Sequence, residues 1–304
     1  MTCLVFSMDQ GTRFSGVNQQ LLERTIHDIR HGFDPNYSAR MGSLAKLLGF
    51  SGWFFNDLRV SGVESIPRDK QIVYLGNHLS HSDYLVAWNA LSENNVPLPR
   101  FCAGKNLDHP LFLGLFGMDF RRHGTFFVDR DLLSRGRREE REAYALAFDH
   151  VVHEMLHNGE GLFVFPEGGR QYQGTPAPAE KVKSTIFRVL AHSAESWPDL
   201  AVVPVAFAYN TRIEEDAFST LTRTKSRSNL FERMQYYGAD LGSFLKRFAD
   251  LRAHDGSTYS CAVSFGEPID LQQALARNGD SPSWKHLRSE VWERVHSLHE
   301  QIKF

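Results

Sequence analysis

The chain is predicted to fold as an α/β protein, with a central, mostly parallel but mixed sheet flanked by helices on both faces and an N-terminal helical segment ahead of it. Three observations predict this. From residue 71 onward, short apolar runs of strand length recur, and between them apolar residues fall at the three-to-four spacing of a helix. The third is size: 304 residues with 42% hydrophobic side chains can bury a substantial core.

Taken in order, Val17 to His31 reads as a helix, and Gly32-Phe33-Asp34-Pro35-Asn36 breaks it. Between Met41 and Val60, Leu44, Leu47, Leu48, Trp53, Phe54, Phe55 and Leu58 follow a broadly helical pattern. That mixture of Leu with Trp and Phe suits either a membrane interface or a helix packed on the main domain. Gly49 and Gly52 weaken the helix, and Lys46 and Arg59 are its only basic flanks. Residues 1–60 are therefore expected to form a helical segment able to meet a membrane interface, and residues 61–304 the α/β domain.

Gln71 to Leu75 is a strand, followed by the segment around His78 and then a helix from Tyr84 that stops at Asn94-Asn95. Thr125 to Val128 is a second strand. Tyr144, Ala147, Phe148, Val151, Val152 and Met155 mark a helix closed by Asn158-Gly159, ahead of the strand Gly161 to Phe165. Ala201 to Phe207 and Tyr259 to Phe265 complete the strands, and Glu214 to Arg252 is polar and basic. Strands alternating with helices argue for a sheet covered on both sides.

A formal net charge of -2 gives no reason to expect a nucleic-acid partner, although seven arginines crowd between Arg121 and Arg141. Cys3, Cys102 and Cys261 are too few and too scattered for a disulfide framework or a thiolate metal site, which fits a reducing, cytosolic compartment. The N-terminus carries no basic region followed by an apolar signal core, and no uncharged apolar run is long enough to cross a bilayer.

Two segments carry chemistry. In Asn77-His78-Leu79-Ser80-His81-Ser82-Asp83, the His and the Asp are five apart, a spacing that does not share a helix face. Across a strand-to-helix turn, however, Asp83 can fold back onto one imidazole nitrogen and leave the other to take a proton from a substrate hydroxyl. The structural alternative makes Ser80 a helix cap, Asp83 the closing residue of a capping box and His78 a satisfied loop histidine. Metal ligation by His78, His81 and Asp83 is a third reading, with no further acidic or histidine cluster to support it. In Phe165-Pro166-Glu167-Gly168-Gly169-Arg170, glycines permit a sharp turn at a strand end, with a carboxylate and a guanidinium at its rim. Gly124 to Arg130 ends a strand in the same way, and arginine forks suit phosphate.

In this order the segments resemble the glycerolipid acyltransferase superfamily. Its motifs correspond to His78 to Asp83, Gly124 to Arg130, Phe165 to Arg170 and the apolar Val202 to Val205, and the resemblance covers roughly Gly62 to Glu267. Ala103 to Leu107 and Phe120 to Gly124 look like the glycerol-3-phosphate acyltransferase branch in particular. The resemblance implies that His78 is a general base and Asp83 its orienter, while Arg130, Glu167, Gly168 and Arg170, with Lys105, shape a polyol-phosphate pocket. It implies transfer of an acyl group from a coenzyme A or acyl-carrier-protein thioester to a hydroxyl of glycerol 3-phosphate, with no covalent intermediate, no cofactor and no metal. A lysophospholipid acceptor is the neighbouring alternative, and the expected location is the cytoplasmic face of a membrane. Gln171-Tyr172 after Arg170, where the family often has serine, and Gly169, where many members have threonine, depart from the pattern and bear on the acceptor. A metal-dependent hydrolase and a non-catalytic lipid-binding module are the rivals from other classes.

Overall fold

The structure is a computed structural model that describes residues 18–30, 32–47, 55, 57–105, 119–194, 196, 197, 199–212, 242, 260–276 and 284–304. The first elements are α1 (Gln19–Arg30), α2 (Pro35–Leu47), β1 (Asp57–Ser61), β2 (Gln71–Gly76), α3 (Asp83–Glu93), β3 (Arg100–Gly104) and β4 (Phe126–Val128). After them come α4 (Arg130–Arg135), α5 (Arg138–His157), β5 (Leu162–Val164), α6 (Thr185–Ser193) and β6 (Leu200–Tyr209). β7 (Ser260–Phe265), β8 (Ile269–Asp270), α7 (Leu271–Ala276) and α8 (Trp284–Gln301) follow. They divide into two compact units, Met1–Pro35 with Cys102–Glu160 and Asn36–Phe101 with Gly161–Phe304, and the chain passes from one to the other after Pro35, after Phe101 within β3, and after Glu160.

The larger unit holds the main sheet. β6, β2, β5 and the start of β3 run parallel, with β2 and β6 in register from Gln71↔Leu200 to Gly76↔Val205. β7 and β8 lie antiparallel to β6, and β1 runs parallel to β7, so the sheet is mixed, as expected. Every residue of β6 from Leu200 to Ala208 is buried, so both of its faces are covered and its apolar run needs no alternation. α8 supplies part of that cover, packing Leu287, Val291, Trp292 and Val295 on one stripe against β6 and α6.

In the smaller unit, β4 pairs parallel with the end of β3, from Cys102↔Phe126 to Gly104↔Val128. α5 buries the expected face of Tyr144, Ala147, Phe148, Val151, Val152 and Met155 and packs against α1. Arg30 and Glu154 form an ion pair between those two helices. Three arginines of the cluster pair with nearby carboxylates: Arg122 with Asp34, Arg137 with Glu140 and Arg138 with Glu142.

Several expectations change. Asp57–Ser61 is a strand where composition suggested helix, because β7 offers a parallel ladder from Asp57↔Ser260 to Ser61↔Ser264 that no local pattern reveals. A boundary at residue 60 does not coincide with the two units. Within the amphipathic stretch, Phe55 is buried with its ring 6.0 Å from that of Tyr209, an interior position. Residues 48–54 and 56 of that stretch lie outside the described residues, as does all of 214–252 except 242. Among the described residues no helix is long and apolar enough to cross a membrane.

Candidate active site

β6, β2 and β5 are adjacent and parallel, so their C-terminal ends share one edge of the sheet. His78 lies two residues beyond β2, Glu167 three beyond β5, and Tyr209 closes β6. This is the edge where open α/β sheets bind ligands.

Asn77 makes the transition from strand to turn. Its side-chain amide accepts from the Phe207 N–H at 2.7 Å and donates to the Phe207 carbonyl at 3.0 Å, extending the β2–β6 ladder by one rung. His78 then leaves the sheet, and Asp83 at the start of α3 folds back on it: His78 Nδ1 is 2.8 Å from Asp83 Oδ2. The same oxygen accepts the backbone N–H groups of Leu79 at 2.7 Å and Ser80 at 3.1 Å. Tyr209 donates its hydroxyl to the other oxygen, Oδ1, at 2.6 Å. Asp83 thus does two things at once, closing the helix start as a capping residue would and gripping the imidazole. α3 begins at Asp83 with Ser82 as its cap, and Ser82 makes no side-chain cap bond; its hydroxyl meets that of Ser80 at 2.6 Å.

A carboxylate only accepts, so Nδ1 of His78 carries a hydrogen and the neutral ring presents its lone pair at Nε2. The ring is only 4% exposed, with Phe165 at 4.6 Å and Tyr84 edge-on at 5.4 Å between centroids. Burial pushes its pKa down to about 4, and the charges of Arg170 and His81 push the same way against the hydrogen bond and charge of Asp83. Near pH 7 the imidazole is therefore neutral and able to accept a proton.

Glu167 holds this turn from the other side. Its Oε2 accepts the His78 N–H at 2.6 Å, and its Oε1 accepts the Ala177 N–H at 2.6 Å. The His78 carbonyl accepts the Gln171 N–H at 2.7 Å, so the backbone of the histidine is pinned on both sides by one turn. Burial pushes the Glu167 carboxyl up to about 8; the two N–H donors oppose the rise, and the charge of Asp83 adds to it. Ala177 in turn receives bonds at its carbonyl from Trp292 and His296 of α8. Gly168 turns the chain at φ 71°, a left-handed conformation that favours glycine, whereas Gly169 faces open space. Arg212 donates to the carbonyls of Gln171 and Tyr172 at 3.0 and 2.9 Å, fixing the chain just past Arg170.

Of the residues singled out in the sequence, His78, Asp83, Glu167, Gly168 and Arg170 all belong to the larger unit. The guanidinium of Arg170 acts electrostatically on His78 and lies 6.0 Å from the ring of Tyr172. Lys105 and Arg130 belong to the smaller unit. There, Lys105 Nζ is 3.4 Å from Asp129, whose other carboxylate oxygen caps α4 through the Leu132 N–H at 2.9 Å, and Arg130 is exposed as the first residue of that helix. Among the described residues no three His, Cys, Asp or Glu side chains are grouped as a metal would require. Sequence reasoning missed Tyr209, Gln171 and Arg212. Only Tyr209 had a usable signal, a lone phenol at the end of an apolar strand.

Comparison with known proteins follows these segments. The chain is 28% identical over 243 residues to a glycerol-3-phosphate acyltransferase of Pseudomonas paraeruginosa and 27% identical over 243 residues to one of Ectopseudomonas mendocina. Each alignment covers 77% of this chain and 26% of the relative, so the chain spans about a quarter of the length of these curated relatives. The crystal structure of the 1-acyl-sn-glycerophosphate (LPA) acyltransferase PlsC from Thermotoga maritima aligns with a TM-score of 0.48 and 18% identity, covering 98% of this chain and 83% of that one. The profile described as Acyltransferase matches residues 57–208, half of the chain, from the first strand through the His78 turn and the Glu167 turn almost to Tyr209, and the chain belongs to that Acyltransferase family.

Proposed function

We propose that the protein transfers a fatty acyl group from a coenzyme A or acyl-carrier-protein thioester to a hydroxyl of glycerol 3-phosphate. The observation that carries this reading is the buried His78–Asp83 pair, with an Nδ1 to Oδ2 distance of 2.8 Å, at the C-terminal edge of the sheet. Family membership supports the reaction class, and the names of the aligned relatives support the acceptor. His78 Nε2 takes the proton of the acceptor hydroxyl as its oxygen bonds to the thioester carbonyl carbon. The carbon–sulfur bond then breaks, and the thiolate leaves with a proton returned from the imidazolium. Asp83 holds the ring and balances the transient positive charge. Arg170 offers a planar pair of donors for the phosphate, with Glu167 and Gly168 shaping its turn; Lys105 and Arg130, in the smaller unit, are proposed as phosphate contacts on the family resemblance alone. The product would carry a fatty chain and a phosphate, so release into a membrane surface is the expected exit.

The test is thiol release by the purified protein with acyl-coenzyme A and acyl carrier protein as donors. Glycerol 3-phosphate, lysophosphatidate and glycerol serve as acceptors. Release matched by ester formation with glycerol 3-phosphate, and little with glycerol, supports the proposal. Release with lysophosphatidate alone overturns the acceptor, and binding of both substrates without release overturns the reaction in favour of a lipid-binding module. Loss of all activity on chelation favours a metal-dependent enzyme instead.

A further inference from the structure

We propose that Tyr209 is a positioning residue for the reaction, holding Asp83 so that the carboxylate orients His78. The inference rests on the reading of His78 as the base and extends it to a residue on a different strand. Tyr209 is the last residue of β6, 126 positions from Asp83, and its hydroxyl donates to Oδ1 at 2.6 Å while Oδ2 serves His78 and two backbone N–H groups. Each carboxylate oxygen therefore has its own task. Oδ2 closes the turn and binds the imidazole; Oδ1 is anchored by the phenol to the end of β6. Without that second anchor only the three bonds at Oδ2 hold the carboxylate, Oδ1 loses its fixed place, and the plane of the group that faces Nδ1 is set less tightly.

The phenol is itself well held. Phe55 packs against its ring at 6.0 Å, and its hydroxyl lies within hydrogen-bonding reach of Ser82 and of the Cys261 thiol on β7. Burial, followed by the charge of Asp83, keeps the phenol pKa well above its ordinary value, so it acts as a donor throughout the working range. Among the described residues, the charged and titratable groups facing the pair are His81 from the turn before α3, Glu167 and Arg170 from the turn after β5, Tyr209 from β6 and Cys261 from β7. Among them Tyr209 alone donates a side-chain hydrogen bond to Oδ1 among the described contacts. A hydrogen bond donated to a carboxylate draws off part of its charge. Its removal leaves Asp83 a stronger partner for imidazolium, so the His78 pKa should rise toward the ordinary histidine range.

The experiment compares Tyr209→Phe with the wild type, because Phe keeps the ring packed on Phe55 and deletes only the donor. Thermal unfolding checks the fold, thiol release gives kcat and KM, and nitrogen NMR of labelled histidine gives the His78 titration in the resting protein. The expected result is a fall in kcat of about 10- to 100-fold, the scale of one hydrogen bond to a charged group, with KM for the acyl thioester little changed. The His78 midpoint should also move upward by at least half a pH unit. An unchanged kcat with an unchanged midpoint overturns the proposal, as does a loss of activity explained wholly by unfolding while the midpoint in the folded fraction stays put. The NMR arm needs no turnover. If His78→Ala retains full activity while the midpoint still moves in Tyr209→Phe, the reading of His78 as the base fails and the electrostatic link stands.

Discussion

Replacing His78 with Ala is expected to lower kcat for acyl transfer by about 10²- to 10⁴-fold, the usual contribution of a positioned general base. The fold should survive, because the bonds that pin this residue are made by its backbone: the N–H to Glu167 and the carbonyl from Gln171. Asp83 keeps three of its four donors, from Leu79, Ser80 and Tyr209. What goes is the ring between Phe165 and Tyr84, which leaves a small cavity and some loss of stability. Steady-state thiol release alongside thermal unfolding separates the two effects. Near-normal turnover by a folded His78→Ala protein would remove the proposed base.

The second large effect is expected at Glu167, and here stability should fall together with activity. Glu167→Ala leaves the N–H groups of His78 and Ala177 without an acceptor in a buried setting, at a cost of about 1–3 kcal/mol for each orphaned group. Gln at this position keeps one carbonyl oxygen but turns an amide donor toward the other N–H, so it should unfold at a temperature between those of Ala and the wild type. Both variants should lose turnover, because the backbone that aims His78 is no longer tied to the turn after β5. Denaturant unfolding with thiol release on the same preparations checks the order. A Glu167→Ala protein as stable and as active as the wild type would show that the brace is dispensable.

The parts of this architecture that are legible in the sequence are those whose physics is local. β2, β5, β6 and β7 announce themselves as apolar runs because sheet strands covered on both faces need no alternation. α5 is legible through its repeated apolar face, and Asn158-Gly159 marks its end. β1 is not, since none of its five residues is fully buried and its pairing comes from β7, some two hundred residues later. α8 is also obscured, because its stripe of Leu287, Val291, Trp292 and Val295 is diluted by charged neighbours over 18 residues.

The same division holds within the candidate site. The His78–Asp83 contact can be inferred from a five-residue spacing once the segment is placed on a strand-to-helix turn. Nothing in the sequence shows that Glu167 binds backbone N–H groups, since every residue but proline has one and the partners, His78 and Ala177, lie 89 and 10 positions away. Tyr209 is hidden for a related reason: its bond to Asp83 depends on β2 and β6 being neighbours with their C-terminal ends at one edge.

The central claim is that Asp83 holds a buried, neutral imidazole with its lone pair at Nε2. Nitrogen NMR of labelled histidine in the wild-type protein tests it most directly. A folded-state pKa below the ordinary value means that charge appears only as the pH falls through that lower value. His78 should therefore show the Nδ1–H tautomer at pH 7 and remain neutral until the pH approaches about 4. An Nε2–H tautomer, or titration of His78 near the unperturbed histidine value of about 6.5, would contradict it.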